Sequence, residues 1–252
     1  MAEAAFLRLA VIGDPVAHSR SPALHRGFLA AEGRSGSYDA LRVAAGDGAR
    51  ALEELRARDY AGLNVTTPLK EEAFARADWR DPAARASGSV NTVVLGRVIR
   101  GYDTDGIGAL GVLRDAGLLD IAAARVLVLG AGPTARAAID ALAAAGATLT
   151  LWNRTADRAR AVARDLGVGT FAPGDRFDAA FAALAPNAAL DDAALVASLH
   201  DAPLFVDANY GERATLARSL GRPGHDGTRM LEHSARASYD LFVAAQIAPV
   251  IE

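Results

Sequence analysis

Short unbroken apolar runs alternate along this chain with stretches in which apolar residues return every three or four positions. A run of four to eight apolar residues bounded by turn formers predicts a strand buried on both faces, and a 3.6-residue period predicts a helix with one dry side. Residues 7–12 predict such a strand, 23–31 a helix, 38–43 a strand, 49–58 a helix and 62–65 a third strand, a βαβαβ series. Residues 90–95 and 98–99 flank Gly96 and predict a hairpin. A helix over 106–116 leads into a second series. That series has a strand at 125–129, an Ala-rich helix reaching Ala145, a strand at 148–152 and a helix at 156–166. A short strand at 204–206 ends on Asp207, and a final helix covers 227–245. The fold class expected is α/β, with parallel-type sheets wound by helices and ligands at the carboxyl ends of strands.

Composition narrows the partners. At 252 residues and 51% hydrophobic, the chain has material for one large core or two modest ones, and domains of roughly 100–150 residues make two a fair expectation. No apolar run approaches the ~20 residues of a membrane helix, because Pro186 and Asn187 break the Ala-rich stretch near Phe181. Residues 1–9 contain Glu3 and show no basic segment followed by a long apolar one, so no secretory leader is expected and the cytoplasm is the expected compartment. With 0 Cys there is no disulfide and no thiolate metal site, and no metal is expected. A net charge of −3 without basic blocks gives no footprint for nucleic acid. Small molecules are the expected partners.

Lys and Arg total 27, yet Lys70 is the single lysine, which leaves 26 arginines. The two are broadly exchangeable on a surface. The exception is expected where a compact ammonium, or one able to lose its proton, is required.

Gly130, Gly132 and Ala135 hold the G-x-G-x-x-A spacing between a strand and a helix, the context that makes the pattern a dinucleotide site. Gly130 allows the tight turn, Gly132 lets backbone approach a pyrophosphate, and Ala135 permits close helix packing. Pro133 suits a first helical turn, and Thr134 completes the loop. About 20 residues on, where NAD enzymes place a carboxylate for the ribose 2′-hydroxyl, this chain has Asn153, Arg154 and Thr155. A guanidinium there suits a 2′-phosphate, with Arg158 one turn beyond as a second contact. NADP(H) is the cofactor expected. Asn153 and Thr155 also read as helix caps.

Residues 64–70 (NVTTPLK) follow a strand and precede Glu71 and Glu72, with Pro68 apt for a first helical turn. Lys70 then stands at a helix N-terminus, where the dipole disfavours an ammonium and marks it as a candidate proton carrier. Together with residues 13–25 (GDPVAHSRSPALH), 88–92 (GSVNT), 101–106 (GYDTDG), the glycine loop and residues 153–155, this segment resembles the shikimate dehydrogenase family over nearly the whole chain. The resemblance implies a substrate domain over 1–106, a Rossmann-like NADP-binding domain over 107–226, a cleft between them, and a C-terminal helix over 227–252 packing back on the substrate domain. It implies hydride transfer that interconverts shikimate and 3-dehydroshikimate. Ser19 and Ser21 would hold the carboxylate, and Asn64, Thr66 and Asn91 would bind hydroxyls or nearby backbone. Tyr210 would reach the substrate, and Lys70 with Asp105 would form the catalytic pair. Ser21 also reads as an N-cap before Pro22 and Asn91 as a strand end, while His18 and His25 read as helix packing.

The chain also departs from the family pattern. Asp103 replaces Asn, Arg26 replaces the last Asn of the first motif, residues 182–184 (AAL) replace Asn-Ala-Thr, and Ser234 beside His233 replaces Gln. Met230, Leu231, Asp207 and Tyr210 match. The departures put nicotinamide placement and substrate choice at issue. Quinate or an aminoshikimate is an alternative substrate, a low-activity NADP(H) sensor is an alternative role, and the chain is expected as a monomer or homodimer.

Overall fold

The structure, a computed structural model, describes residues 6–221 and 225–247. Contacts divide the chain into two compact units, Met1–Thr104 joined by Ser234–Glu252, and Asp105–His233.

In the first unit β1 (Leu7–Gly13), α1 (Ser21–Ala31), β2 (Gly36–Arg42), α2 (Gly48–Ala57) and β3 (Gly62–Val65) follow the predicted alternation. After them come α3 (Lys70–Arg76), β4 (Trp79–Arg80), α4 (Pro82–Ser87), β5 (Thr92–Val94) and β6 (Arg100–Tyr102). They form a six-stranded sheet in the order β2-β1-β3-β5-β6-β4. β1 runs parallel to both neighbours, with Val11 opposite Ala40 on β2 and Asn64 on β3. Every residue of β1 except Arg8 is buried, which is why its sequence reads as an apolar run from Leu9 onward. The sheet is mixed rather than parallel throughout, because β5 runs antiparallel to β3 and β6. The few residues between Val94 and Arg100 can close a hairpin but cannot carry a crossover.

The second unit contains α5 (Asp105–Asp115), β7 (Arg125–Leu129), α6 (Pro133–Ala144), β8 (Thr148–Trp152), α7 (Ala156–Leu166), β9 (Gly169–Thr170) and β10 (Ala179–Ala182). α8 (Ala193–Asp201), β11 (Leu204–Asp207), α9 (Leu216–Ser219), β12 (His225–Asp226) and α10 (Thr228–Ile247) complete the order. Its six strands pair in parallel in the order β12-β11-β10-β7-β8-β9. Strand order reverses at β7, so the crevice beyond the carboxyl end of β7 is where such a sheet receives ligands. Ala135, Ala138, Ile139 and Leu142 form the buried stripe of α6, and each fully buried large aliphatic here is worth about 1.5–3 kcal/mol.

α10 begins in the second unit and continues in the first. Its start is held by Asp115 at the end of α5, which accepts from Arg229 Nε at 2.8 Å and meets His233 Nε2 at 2.9 Å. Those two partners, His233 first, hold the Asp115 carboxyl below the usual range. Farther along, Ser234, Ala235, Ser238, Tyr239 and Phe242 make one buried stripe. The Phe242 ring lies on Gly62 of β3 so closely that a Cβ at Gly62 would strike it.

Candidate functional site

On the first unit, residues singled out from the sequence lie at the carboxyl ends of β1 and β3 and on the hairpin beside them. Arg20 is the N-cap of α1 and Ser21 its first helical residue, so Ser21 does not cap; its side chain is buried and hydrogen-bonds the Tyr38 phenol. Ser19 Oγ accepts from the Ser21 N–H at 3.3 Å. Pro68 does not sit in the first turn of α3, because Leu69 is the N-cap and the helix starts at Lys70. The lysine's own carbonyl accepts from the Val90 N–H at 3.1 Å, which ties the helix start to the chain entering β5. Glu72 fixes the other side of that turn. Its carboxylate accepts from the Gly46 and Gly48 N–H groups, each at 2.8 Å, and so binds α3 to the start of α2. Glu72 was not singled out from the sequence; a carboxylate two residues after Lys70 reads there only as a first-turn acid.

Asn64 and Asn91 are drawn into an internal network. The Tyr38 hydroxyl donates to Asn64 Oδ1 at 2.7 Å, and Asn64 Nδ2 donates to Ser238 Oγ at 3.0 Å. Burial pushes the Tyr38 phenol well above its usual pKa, so it keeps the proton it donates. Asn91 Oδ1 accepts from the Thr92 hydroxyl at 2.8 Å and the Thr104 N–H at 3.0 Å, while Asn91 Nδ2 donates to Thr104 Oγ1 at 3.1 Å. Ser234 lies against the same group, 2.8 Å from Thr104 Oγ1 and 3.4 Å from Asn91 Nδ2. Asp103 is buried and accepts from Ser87 Oγ at 2.6 Å and Ser89 Oγ at 2.7 Å, two hydrogen bonds that offset its burial. Arg26 is exposed and donates to the Tyr38 carbonyl. Thr66 packs its methyl on Gly13. His25 packs as expected, stacked on the Tyr38 ring at 4.4 Å. Neither of its nitrogens has a hydrogen-bond partner, and burial lowers its pKa to about 3.

On the second unit, Gly130 follows β7 with φ +110°, a conformation that favours glycine, and a Cβ there would lie 2.5 Å from the Ala183 carbonyl oxygen. Residues 182–184 thus run directly against the glycine turn. Gly132 is the N-cap of α6 and meets nothing on its Cβ side, while Pro133 opens the helix without any side-chain cap. This leaves a helix start with uncapped N–H groups beside an open approach, the arrangement that receives a phosphate. Thr134 turns its hydroxyl to Asp105, donating to Oδ2 at 2.9 Å. The candidate catalytic carboxylate, first residue of α5, is thereby joined to the glycine-loop helix. Past β8, Asn153 Nδ2 donates to the Thr155 carbonyl at 3.2 Å. Thr155 is the N-cap of α7 but its side chain makes no cap bond, and Arg154 is exposed beside it. Arg158 reaches back to the Ala131 carbonyl at 3.4 Å. After β11, Asp207 Oδ1 accepts from the Asn209 N–H and side chain, both at 2.9 Å, and Asn209 donates on to the Leu184 carbonyl at 3.0 Å. The half-buried Tyr210 follows that knot. Among the described residues no cluster of acidic or histidine side chains is built to hold a metal, and no helix is long and apolar enough to cross a membrane.

The sequence profile of the shikimate dehydrogenase substrate binding domain matches residues 11–93, and that of the shikimate/quinate 5-dehydrogenases matches residues 114–186. The fold agrees with a shikimate 5-dehydrogenase from Thermus thermophilus, solved in complex with NADP(H) and shikimate, at a TM-score of 0.83 and 32% identity over 94% of each chain. The chain belongs to the shikimate dehydrogenase family. The Mycobacterium tuberculosis shikimate dehydrogenase is similar too, at a TM-score of 0.79 and 30% identity over 94% of each chain. A shikimate dehydrogenase (NADP(+)) from Acidiphilium cryptum is 49% identical over 159 residues, 63% of this chain and 57% of that relative. The most similar stretch therefore spans little more than half of that curated shikimate dehydrogenase.

Proposed function

We propose that this chain is an NADP-dependent oxidoreductase that interconverts shikimate and 3-dehydroshikimate. The observation that carries the reading is the Thr134–Asp105 bond, which ties a carboxyl group on α5 to the first turn of the helix that begins at the dinucleotide loop. The turn at Gly130, the uncapped start of α6 and the exposed Arg154 fit a dinucleotide bearing a 2′-phosphate. The Thermus relative's complex with NADP(H) and shikimate supports the same pairing.

When bound, NADP+ supplies the two-electron acceptor for the hydride leaving the carbinol carbon. The chain's residues do the rest. Backbone N–H groups at the start of α6 bind pyrophosphate, and Arg154 with Arg158 binds the 2′-phosphate. Ser19 and Ser21 hold the ring carboxylate, Asn64, Thr66, Asn91 and Tyr210 orient the ring, and Lys70 Nζ with the Asp105 carboxylate takes the hydroxyl proton as the carbonyl forms. In the reverse direction the same groups return it. The protein acts on a small molecule in the cytoplasm, as a monomer or homodimer.

A second reading, oxidation of quinate or an aminoshikimate, is favoured by Ser234, whose short side chain lies among Asn91 and Thr104. The test is absorbance at the reduced nicotinamide band with purified protein, NADP+ or NAD+, and shikimate, quinate or aminoshikimate. Turnover of shikimate with NADP+ above all other pairs is expected. Faster turnover of another acid selects the second reading, and reduction of neither cofactor by any of them ends both.

A further inference from the structure

Ser238 is fully buried on α10, one helical turn past Ser234, and its hydroxyl meets more polar partners than a packing serine needs. It lies 2.6 Å from Thr92 Oγ1, 3.0 Å from Asn64 Nδ2 and 3.2 Å from Thr104 Oγ1. The amide groups fix part of the direction of this cluster. Tyr38 donates to Asn64 Oδ1, which turns the Asn64 amide nitrogen toward Ser238. Thr92 gives its proton to Asn91 Oδ1, and the single Ser238 proton lies between Thr92 Oγ1 and the Ser234 carbonyl, to which Ser238 Oγ donates at 3.0 Å. Asn91 Nδ2 donates to Thr104 Oγ1, whose own hydroxyl faces Asn91 Oδ1, the Ser234 carbonyl and the Ser234 hydroxyl. A branched hydrogen-bond network connects Tyr38 to Ser234, and both asparagines lie in it. An isolated asparagine amide can flip between two nearly isosteric orientations; an amide whose oxygen and nitrogen are held by different partners loses those bonds when it flips.

We infer that Ser238 is a positioning residue that sets the orientation of the Asn64 amide and, through Thr92, that of Asn91, and thereby which hydroxyls of a ring acid the site accepts. This rests on the proposed ring-acid activity. Ser238 sits 174 residues from Asn64 in the chain, so no local signal marks it.

The experiment uses the full chain with Ser238→Ala, Thr92→Val, Thr92→Ser and the double variant Ser238→Ala/Thr92→Val. Steady-state constants are read for shikimate and NADP+ together with the thermal midpoint. Ser238→Ala and Thr92→Val should each raise the shikimate KM about tenfold, the loss expected for one oriented hydrogen bond. kcat should stay within about threefold and the NADP+ KM should not move. Thr92→Ser, which keeps the hydroxyl, should stay within about twofold of the parent, and the double variant should cost little more than the worse single, because both cut one link. If Ser238→Ala does not fold, the Thr92 pair carries the test. A role in packing alone would lower the midpoint and the active fraction while leaving KM alone. An unchanged shikimate KM in Ser238→Ala, or equal damage from Thr92→Ser and Thr92→Val, overturns the inference while the parent's activity stands. A parent that neither oxidises nor binds shikimate removes the activity, and the inference with it.

Discussion

Lys70 shows how far a single residue can be read. Its solitude among 26 arginines, out of 27 Lys plus Arg, is visible without any structure, and the structure puts it at the first position of α3 with its carbonyl held by Val90. Arginine stays protonated at any pH a protein meets, so Lys70→Arg keeps the charge and loses the transferable proton. The expected result is a kcat at least about a hundredfold lower with NADP+ affinity intact; a kcat within a few fold would reduce Lys70 to an electrostatic anchor. His25 was legible only as packing. Its unpartnered nitrogens depend on Tyr38, Tyr239 and Phe242 arriving from distant parts of the chain. Burial drops its pKa from 6.5 to about 3, so the folded state holds the neutral ring while the unfolded chain takes up a proton below pH 6.5. The stability this ring contributes is complete above that pH and falls by about 1.4 kcal/mol per pH unit below it. Urea unfolding at pH 5 and pH 7.5 should therefore differ by a component of about 2 kcal/mol that His25→Phe removes; identical pH dependence in both proteins would refute it.

Among elements, β1 and β7 were plain because strands buried on both faces carry apolar runs that only Arg8 and the leading Arg125 interrupt. The two-residue strands β4, β9 and β12 left no pattern, since two positions cannot display a period of two. The antiparallel β5 came from hairpin length rather than from hydrophobicity. The candidate site was legible as a set of residue types. Which side chains spend their polar atoms on one another was not legible, because serine and threonine hydroxyls look alike in any sequence. Thr134 is the clearest instance. Read from the sequence as part of a phosphate loop, it also links the first turn of α6 to the first residue of α5. Thr134→Val, which keeps the shape and removes the hydroxyl, should lower kcat for shikimate oxidation about fivefold by removing one hydrogen bond that orients Asp105, with the NADP+ KM unchanged and Thr134→Ser near the parent. A rise in the NADP+ KM with kcat unchanged would return Thr134 to the phosphate.

At the scale of the whole molecule, each unit has its own apolar interior. One is built around Leu63, Leu69 and Ile99, the other around Val126, Val128 and Leu142. Separate cores predict unfolding that is not a single two-state transition. In a calorimetric scan NADP+ at about 100 times its Kd should stabilise one transition by about 2.7 kcal/mol. Shikimate should raise the other, and equal movement of a single transition by both ligands would count against the assignment of one ligand to each unit. Finally, residues 105–233 are written between the two stretches of the first unit, and α10 carries the chain from one to the other. On the ribosome that order has a consequence: the second unit is fully synthesised while the first still lacks residues 234–247. The unit begun first is finished last. Until Ser234 and Ser238 emerge, Asn64, Thr92 and Thr104 have none of the helix hydroxyls they bond in the finished protein, so the nascent first unit waits with its polar interior open and its Gly62 face uncovered by Phe242.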